Sequence, residues 1–509
     1  MRVLGIEFGS TRIKAVLTDE NAKVLAQGGY DWENILVDGL WSYDLDEVWV
    51  GFQQSYKKLV ENYGQPIKKL DAIGISAMMH GYIATDDKDK LLAPYRTWRN
   101  TNAQKASEEL SELFKFHVPM RWSVSQYYQS VLEGLDHVKD FKHLNTLSGY
   151  VHYCLTGKRV LGINDASGMF PIDDNKQYDK TMLNKFNARL KDFGLNVNFV
   201  NLLPDVLVAG ENAGYLTEQG AKLLDPSGTL QPGCPLCPPE GDMGTGMICT
   251  NCVEPKTANM SLGTSANLTV VLEKNMKNYY PEIDVIQTPS GAAAALVHTN
   301  TCTSVIDNWV NLFCEVIELS GAKADKGKLF PLLFNKSLES DENVGNLSGY
   351  NFLAGEPLAK TYKGAPMVFS LQDGKMNLSN FMQMQIYSAI ASISLGMDIL
   401  QSENVKVDLV YGHGGYFKTP GIGQKAVSAL VNAPVTVMDN AGEGGAWGIA
   451  ILALYMLDNK ETLSVYLNKL FSDVKRTIVS ADEKDRVKFN NFINNYKAGL
   501  EAERKLSEI

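Results

Sequence analysis

The chain has 509 residues, 45% of them hydrophobic and 21% charged, with a formal net charge of −10. Such a length exceeds one ordinary core, so two or more domains are expected, and the composition is that of a soluble globular protein. The acidic balance, with no basic cluster to reverse it, argues against nucleic acid as the main partner.

A strand begins at once, with residues 3–6 running into the acidic Glu7, and no signal peptide is read. Residues 3–6, 13–17 and 24–28 read as an antiparallel meander. The stretch 45–63 has helical spacing, with Val48, Phe52, Tyr56 and Leu59 on one face. Residues 72–77 read as a buried strand, and 82–85 are expected to continue its sheet. A helix is expected at 105–116, a loop over 160–173, and a short helix within 210–224. The second half opens on a hairpin near residue 261, then an apolar strand at 292–297 and a helix at 305–319. A charged loop at 323–328 follows, with one long helix at 382–400 and a strand at 407–411. Beyond a Gly-rich turn and a further helix, the C-terminal end reads as an amphipathic, charged helix. The longest late apolar run, 449–456, is too short to span a bilayer. Seven cysteines without a secretion signal point to reduced thiols in the cytoplasm.

One short signature occurs twice, half a chain apart. Glu7-Phe8-Gly9-Ser10-Thr11 precedes a strand containing Lys14, and Ser261-Leu262-Gly263-Thr264-Ser265 precedes residues 268–271. Each reads as strand, Gly-plus-hydroxyl turn, strand. Such a turn lets backbone N–H groups approach an anion and adds a hydroxyl donor. Two of them would grip a polyphosphate from both sides. The repeat places a domain boundary near residue 253, giving domains 1–253 and 254–509.

Other residues carry two readings each. Asp242 follows Pro238-Pro239-Glu240-Gly241 and opens a small-residue helix, as a general base at a strand end or as a helix N-cap. Glu7 is a ligand-side carboxylate or a strand end facing solvent. His80, after a buried strand, is a hydrogen-bonding partner for a substrate hydroxyl or a structural histidine. Gly414 and Gly415 are a backbone approach to a ligand or a tight strand-to-helix turn. Cys234-x-x-Cys237 and Cys249-x-x-Cys252 have the spacing of a four-thiolate zinc site, against which stand the short gap between them and cysteine's ordinary use in cores.

Taken in order, these motifs resemble the FGGY carbohydrate kinases of the sugar kinase, actin and 70-kDa heat-shock superfamily. The resemblance spans nearly the whole chain. It rests on both hairpins, Met79-His80-Gly81, Leu155-Thr156-Gly157, Asn164 to Gly168, Gly241-Asp242, Gly355-Glu356-Pro357, Gly412 to Gly415 and Gly444 to Gly448. It implies an α/β fold of two actin-like (ribonuclease H-like) domains around a central cleft. It also implies ATP- and Mg²⁺-dependent phosphorylation of the terminal hydroxyl of a small-molecule ketose. Met-His-Gly leans to D-xylulose, with L-ribulose, or a deoxyketohexose such as L-fuculose or L-rhamnulose, as alternatives.

Carried over by residue, the resemblance makes Asp242 the base that takes the hydroxyl proton. Glu7, where the family usually has Asp, meets the metal through water. Ser10, Thr11 and Lys14 meet the β- and γ-phosphates. Gly263 and Thr264 form the second clamp, Gly414 and Gly415 face the adenosine or α-phosphate, and Ser304 and Asn308 line the nucleotide site. Met79 and His80 lie against the sugar. Asn100 and Asn102 stand where relatives often carry Asp and Arg, with Asn100 on the substrate. No membrane partner is expected, and a homodimer is left open. Two rival readings remain: an actin- or chaperone-like ATPase, and a sugar or nucleotide sensor without turnover.

Overall fold

The computed structural model describes residues 1–439 and 444–509. They form two compact units. The first holds Met1–Val253, Asn278–Ala294 and residues 444–473; the second holds Glu254–Lys277, residues 295–439 and Val474–Ile509. No described helix is long and apolar enough to cross a membrane.

The first unit is built on β1 (Val3–Phe8), β2 (Arg12–Thr18) and β3 (Val24–Asp31), the expected antiparallel meander. The strand Ala72–Ala77 pairs parallel to β1, and Glu240–Gly241 pairs parallel to Ala72–Ala77, completing a five-stranded sheet. Both faces of this sheet are covered, so its strands are buried almost throughout. On one face lies the helix Leu45–Tyr63, which buries Val48, Phe52, Tyr56 and Leu59 as its spacing requires. Asp44 caps its start through the amide of Asp46, and Gly64, left-handed at φ 78°, ends it. On the other face lies the helix Gly445–Leu457. A Cβ at Gly5 would stand 2.9 Å from the Ala450 amide nitrogen, and one at Gly74 would stand 2.6 Å from the Ile449 carbonyl. Those two glycines let helix backbone rest directly on sheet backbone.

Three local expectations for this unit are corrected. Ile83–Thr85 does not continue the main sheet; it pairs with His143–Asn145 in a separate two-stranded sheet. Residues 160–173 are not a loop. They contain the strand Val160–Gly162, paired with Asp205–Leu207, and the buried helix Ile163–Ser167. The division into 1–253 and 254–509 also differs from the structure, because 278–294 and 444–473 pack with the first unit. The cause in the second case is the fit of Gly445–Leu457 onto Gly5 and Gly74.

The second unit repeats the motif. Thr257–Leu262 and Ala266–Val271 form an antiparallel hairpin, and Leu409–His413 lies parallel beside the first of them. Val435–Met438 and Arg476–Val479 extend that side. The helix Thr303–Leu319 follows the strand Ala293–Thr299. The segment expected as a charged loop enters the helix Lys326–Lys336 after Asp325, which caps it. The expected single helix at 382–400 is two, Leu378–Ala391 and Ile393–Ser402, meeting at Ser392. The C-terminal helix Glu483–Leu506 starts in a capping box formed by Asp482 and Asp485.

Candidate active site

In the first unit, the turn between β1 and β2 is held from behind. The Trp32 indole donates to the Gly9 carbonyl (2.7 Å), and the Tyr43 hydroxyl donates to that of Ser10 (2.7 Å). Ser10 stays half-buried and Thr11 exposed. Glu7 sits at the end of β1 opposite Lys14. Its Oε2 accepts the Ala446 amide at 3.2 Å, at the start of helix Gly445–Leu457. A Cβ on Gly445 would collide with Glu7 Oε1. Burial, and then the charge of Asp242, push the Glu7 carboxyl up to about 7, against the pull of the Ala446 amide and Lys14. Glu7 is therefore no strand-end acid turned to bulk water.

Asp242 lies at an edge of the same sheet, two strands from β1, where Glu240–Gly241 gives way to the helix Asp242–Cys249. Gly241 occupies the cap position and Asp242 is the first helical residue, so the carboxylate is not spent on capping. Its Oδ1 accepts the Met79 amide at 3.2 Å, and the side chain reaches solvent. Desolvation by the surrounding protein raises its pKa, while the amides of Met79 and Met243 oppose the shift.

Met79 and His80 are both buried. His80 adopts φ 68°, a conformation non-glycine residues rarely hold, and such strain concentrates at functional sites. Its Nδ1 is 3.2 Å from the Gly168 carbonyl, so Nδ1 carries the proton and Nε2 is left as an acceptor. Burial lowers its pKa to about 3, keeping the ring neutral. The ring stacks on Trp122, with centroids 6.3 Å apart. A neutral acceptor of this kind suits a hydroxyl donor.

Asn100 is held by backbone. Its Oδ1 accepts the Trp41 amide (2.8 Å), and its Nδ2 donates to the carbonyls of Trp41 (2.8 Å) and Thr97 (3.1 Å). Both amide hydrogens are used on backbone, so the residue clamps the Trp41 segment and has no donor for a ligand. Asn102 accepts from Gln126 Nε2 at 3.1 Å.

In the second unit, the Gly263–Thr264 turn is tied to the start of helix Thr303–Leu319. The Gly263 carbonyl accepts the Thr303 amide (3.0 Å) and hydroxyl (2.6 Å); that of Thr264 accepts the Cys302 amide (2.8 Å) and the Ser304 hydroxyl (3.3 Å). Asn308 is exposed one turn further on. Gly414, at φ 105°, crosses Leu262 so closely that a Cβ would stand 2.7 Å from its carbonyl carbon. Gly415 faces open space. The structure thus gathers Gly263, Thr264, Ser304, Gly414 and Gly415 around one hairpin turn.

The paired cysteines form no metal centre: among the described residues no group of three or more His, Cys, Asp or Glu is placed to hold one. Cys237 and Cys249 turn to the carbonyls of Ile449 (3.9 Å) and Gly444 (3.0 Å). Asn164 was not singled out as a site residue, yet its Oδ1 accepts the Gly244 amide at 3.0 Å, in the first turn of the Asp242 helix. The signal was a buried Asn beside small residues in a segment read as a loop.

Two α/β units, each with a Gly-hydroxyl hairpin, define a duplicated two-unit architecture. Residues 2–249 match the N-terminal domain, and residues 258–457 the C-terminal domain, of the FGGY family of carbohydrate kinases. The chain belongs to this family of ATP-dependent sugar kinases. Xylulose kinase of Haemophilus influenzae is 21% identical over 472 residues, 89% of this chain and 90% of that protein. A ligand-bound xylulose kinase structure from Lactobacillus acidophilus superposes with a TM-score of 0.80 at 15% identity, covering 98% of both chains. A gluconate kinase structure from the same organism also reaches 0.80, at 16% identity and 99% of both chains. Equal scores for kinases named for two different sugars show that the fold does not choose the substrate.

Proposed function

We propose that this chain phosphorylates the terminal hydroxyl of a ketose, with D-xylulose the first candidate and L-ribulose or a deoxyketohexose next. The observation that carries the reading is the placement of Asp242. It is solvent-accessible, fixed by the Met79 amide, raised in pKa, and next in space to the Met79-His80 pair. A carboxylate raised in pKa is a better general base than an ordinary one. Asp242 takes the proton of the attacking hydroxyl. The freed oxygen bonds to the γ-phosphorus of ATP, the bond from that phosphorus to the bridging oxygen breaks, and ADP leaves. His80 Nε2 accepts a second sugar hydroxyl and Met79 packs against the carbon chain. Ser10, Thr11, Lys14, Gly263 and Thr264 contact the phosphates; Ser304, Asn308, Gly414 and Gly415 serve the rest of the nucleotide.

The residues fit a divalent cation at Glu7. It is a half-buried carboxylate under repulsion from Asp242, and a cation there would relieve that cost. Glu7 would hold Mg²⁺ through water, and the bound ion would supply charge neutralisation on the phosphates. Small-molecule turnover of this kind belongs in the cytoplasm.

The test is coupled ADP release with Mg-ATP across ketopentoses, ketohexoses and polyols, with a no-sugar blank. Release stimulated by a pentulose is expected. Release in the blank that no sugar increases would replace the kinase reading with an ATPase.

A further inference from the structure

Behind Asp242 lies a buried pair of acids that the proposed chemistry does not use. Glu240 is 1% exposed and Asp165 is fully buried. The Asp165 amide donates to Glu240 Oε2 at 3.2 Å. Asp165 Oδ2 accepts the hydroxyls of Thr146 (2.7 Å) and Ser148. The remaining oxygens, Asp165 Oδ1 and Glu240 Oε1, are both buried with no donor. No cation is paired with either among the described residues. The titratable neighbours are Asp242, Tyr95 and Tyr178 around Asp165 and Cys237 beside Glu240, none of them a positive charge. The chain makes room for the arrangement: a Cβ at Gly162 would stand 2.5–2.6 Å from the two Glu240 carboxyl oxygens.

Two buried carboxylates side by side, each with one unserved oxygen, cannot both remain ionised without a cation. One proton held by the pair would remove one of the two buried charges. We propose that Asp165 and Glu240 share one proton, and that this pair is the positioning device that fixes Asp242. Asp165, which already accepts two hydroxyls, is the ionised member; Glu240 is the neutral one and donates from Oε1. Burial raises both groups, which agrees with a proton held at neutral pH.

The link to the site is covalent and short. Glu240 precedes Gly241 and Asp242 in the strand that ends at the helix. Asp165 follows Asn164, whose side chain accepts the Gly244 amide of that helix. The shared proton therefore ties the strand end to the Ile163–Ser167 helix, and both tied elements touch the first turn that presents Asp242. Loss of the proton leaves two adjacent buried charges, which push these elements apart.

The inference rests on Asp242 as base for its kinetic consequence but not for the proton itself, so two readouts are used. The infrared difference spectrum, wild type minus Glu240→Gln at neutral pH, should show a protonated carboxyl band beyond those that Glu7 and Glu503 give to both proteins. In the kinetic arm, wild-type kcat should fall on the alkaline side while KM for ATP stays level. Glu240→Gln keeps a permanent donor towards Asp165, so that alkaline limb should disappear while activity at neutral pH stays within about threefold of wild type. Asp165→Asn, a second and independent replacement, should abolish the limb in the same way. An unchanged infrared band in Glu240→Gln would overturn the shared proton. Folded variants whose pH profiles superimpose on wild type would overturn the positioning role. A shared-proton band in a chain that no sugar stimulates would instead sink the kinase reading and leave the pair standing.

Discussion

The Ala446 amide donates to Glu7 Oε2 at 3.2 Å, joining the end of the first strand to the start of a helix from which it is separated by 439 positions in sequence. The contact sets a carboxylate at a helix N-terminus, where partial positive charge favours the ionised form. Burial and Asp242 oppose it and win, since the Glu7 pKa rises from 4.5 to about 7. A proton and Mg²⁺ then compete for Glu7. The Mg²⁺ concentration for half-maximal activity should rise as pH falls through about 7. In Glu7→Gln, measured by ADP release over the same Mg²⁺ and pH grid, the rise attributable to the protein should vanish.

Asp242→Asn preserves the shape and the acceptor for Met79 but removes the base. Its kcat should drop about 10²- to 10⁴-fold, the usual worth of a positioned general base. ATP affinity, measured by titration calorimetry, should be unchanged. Near-normal turnover would move the base elsewhere.

Neighbouring glycines of the second unit should separate into a structural and a ligand-facing residue. Gly414→Ala meets both a positive φ and the Leu262 backbone, so thermal unfolding should show a loss of about 1–3 kcal/mol. Gly415→Ala points into open space, so the unfolding midpoint should hold while KM for ATP rises.

Glu503 lies wholly buried on the C-terminal helix beside Tyr350, and burial pushes its pKa from 4.5 to about 7 despite the Ala365 amide. The folded state therefore binds the proton more tightly than the unfolded chain. Its contribution to stability is full below about 4.5 and is lost as pH rises through about 7. Glu503→Gln should flatten that part of the stability curve, followed by urea unfolding at stepped pH.

The residues with plain periodicity were legible. The meander, the helix Leu45–Tyr63 with its Val48-Phe52-Tyr56-Leu59 face, and the hairpin at Gly263 follow from local pattern. The helix Gly445–Leu457 is apolar all round, with nearly every side chain buried, and so has no face that names its partner sheet. Ile83–Thr85 is too short to declare which strand it pairs with. Residues 160–173 looked like a loop in part because Asn164, Asp165 and Ser167 are polar, yet all three are buried and bonded. Asn100 looked available for a ligand because an amide's partners are set by tertiary contacts, here the Trp41 backbone. Asp242 and His80 could be named from their surroundings in sequence, but the tautomer of His80 and the raised pKa of Glu7 depend on Gly168, Asp242 and Ala446, which only folding brings near.

The helix that covers Gly5 and Gly74 is encoded after almost all of the second unit. At bacterial or eukaryotic translation rates of about 5–20 residues per second, the sheet of the first unit waits about tens of seconds for its missing layer. During that interval its apolar face is open at the ribosome. The two units therefore cannot mature one after the other as independent beads, and a ribosome that stalls within the second unit leaves the first unsealed, a form that chaperones and proteases would recognise.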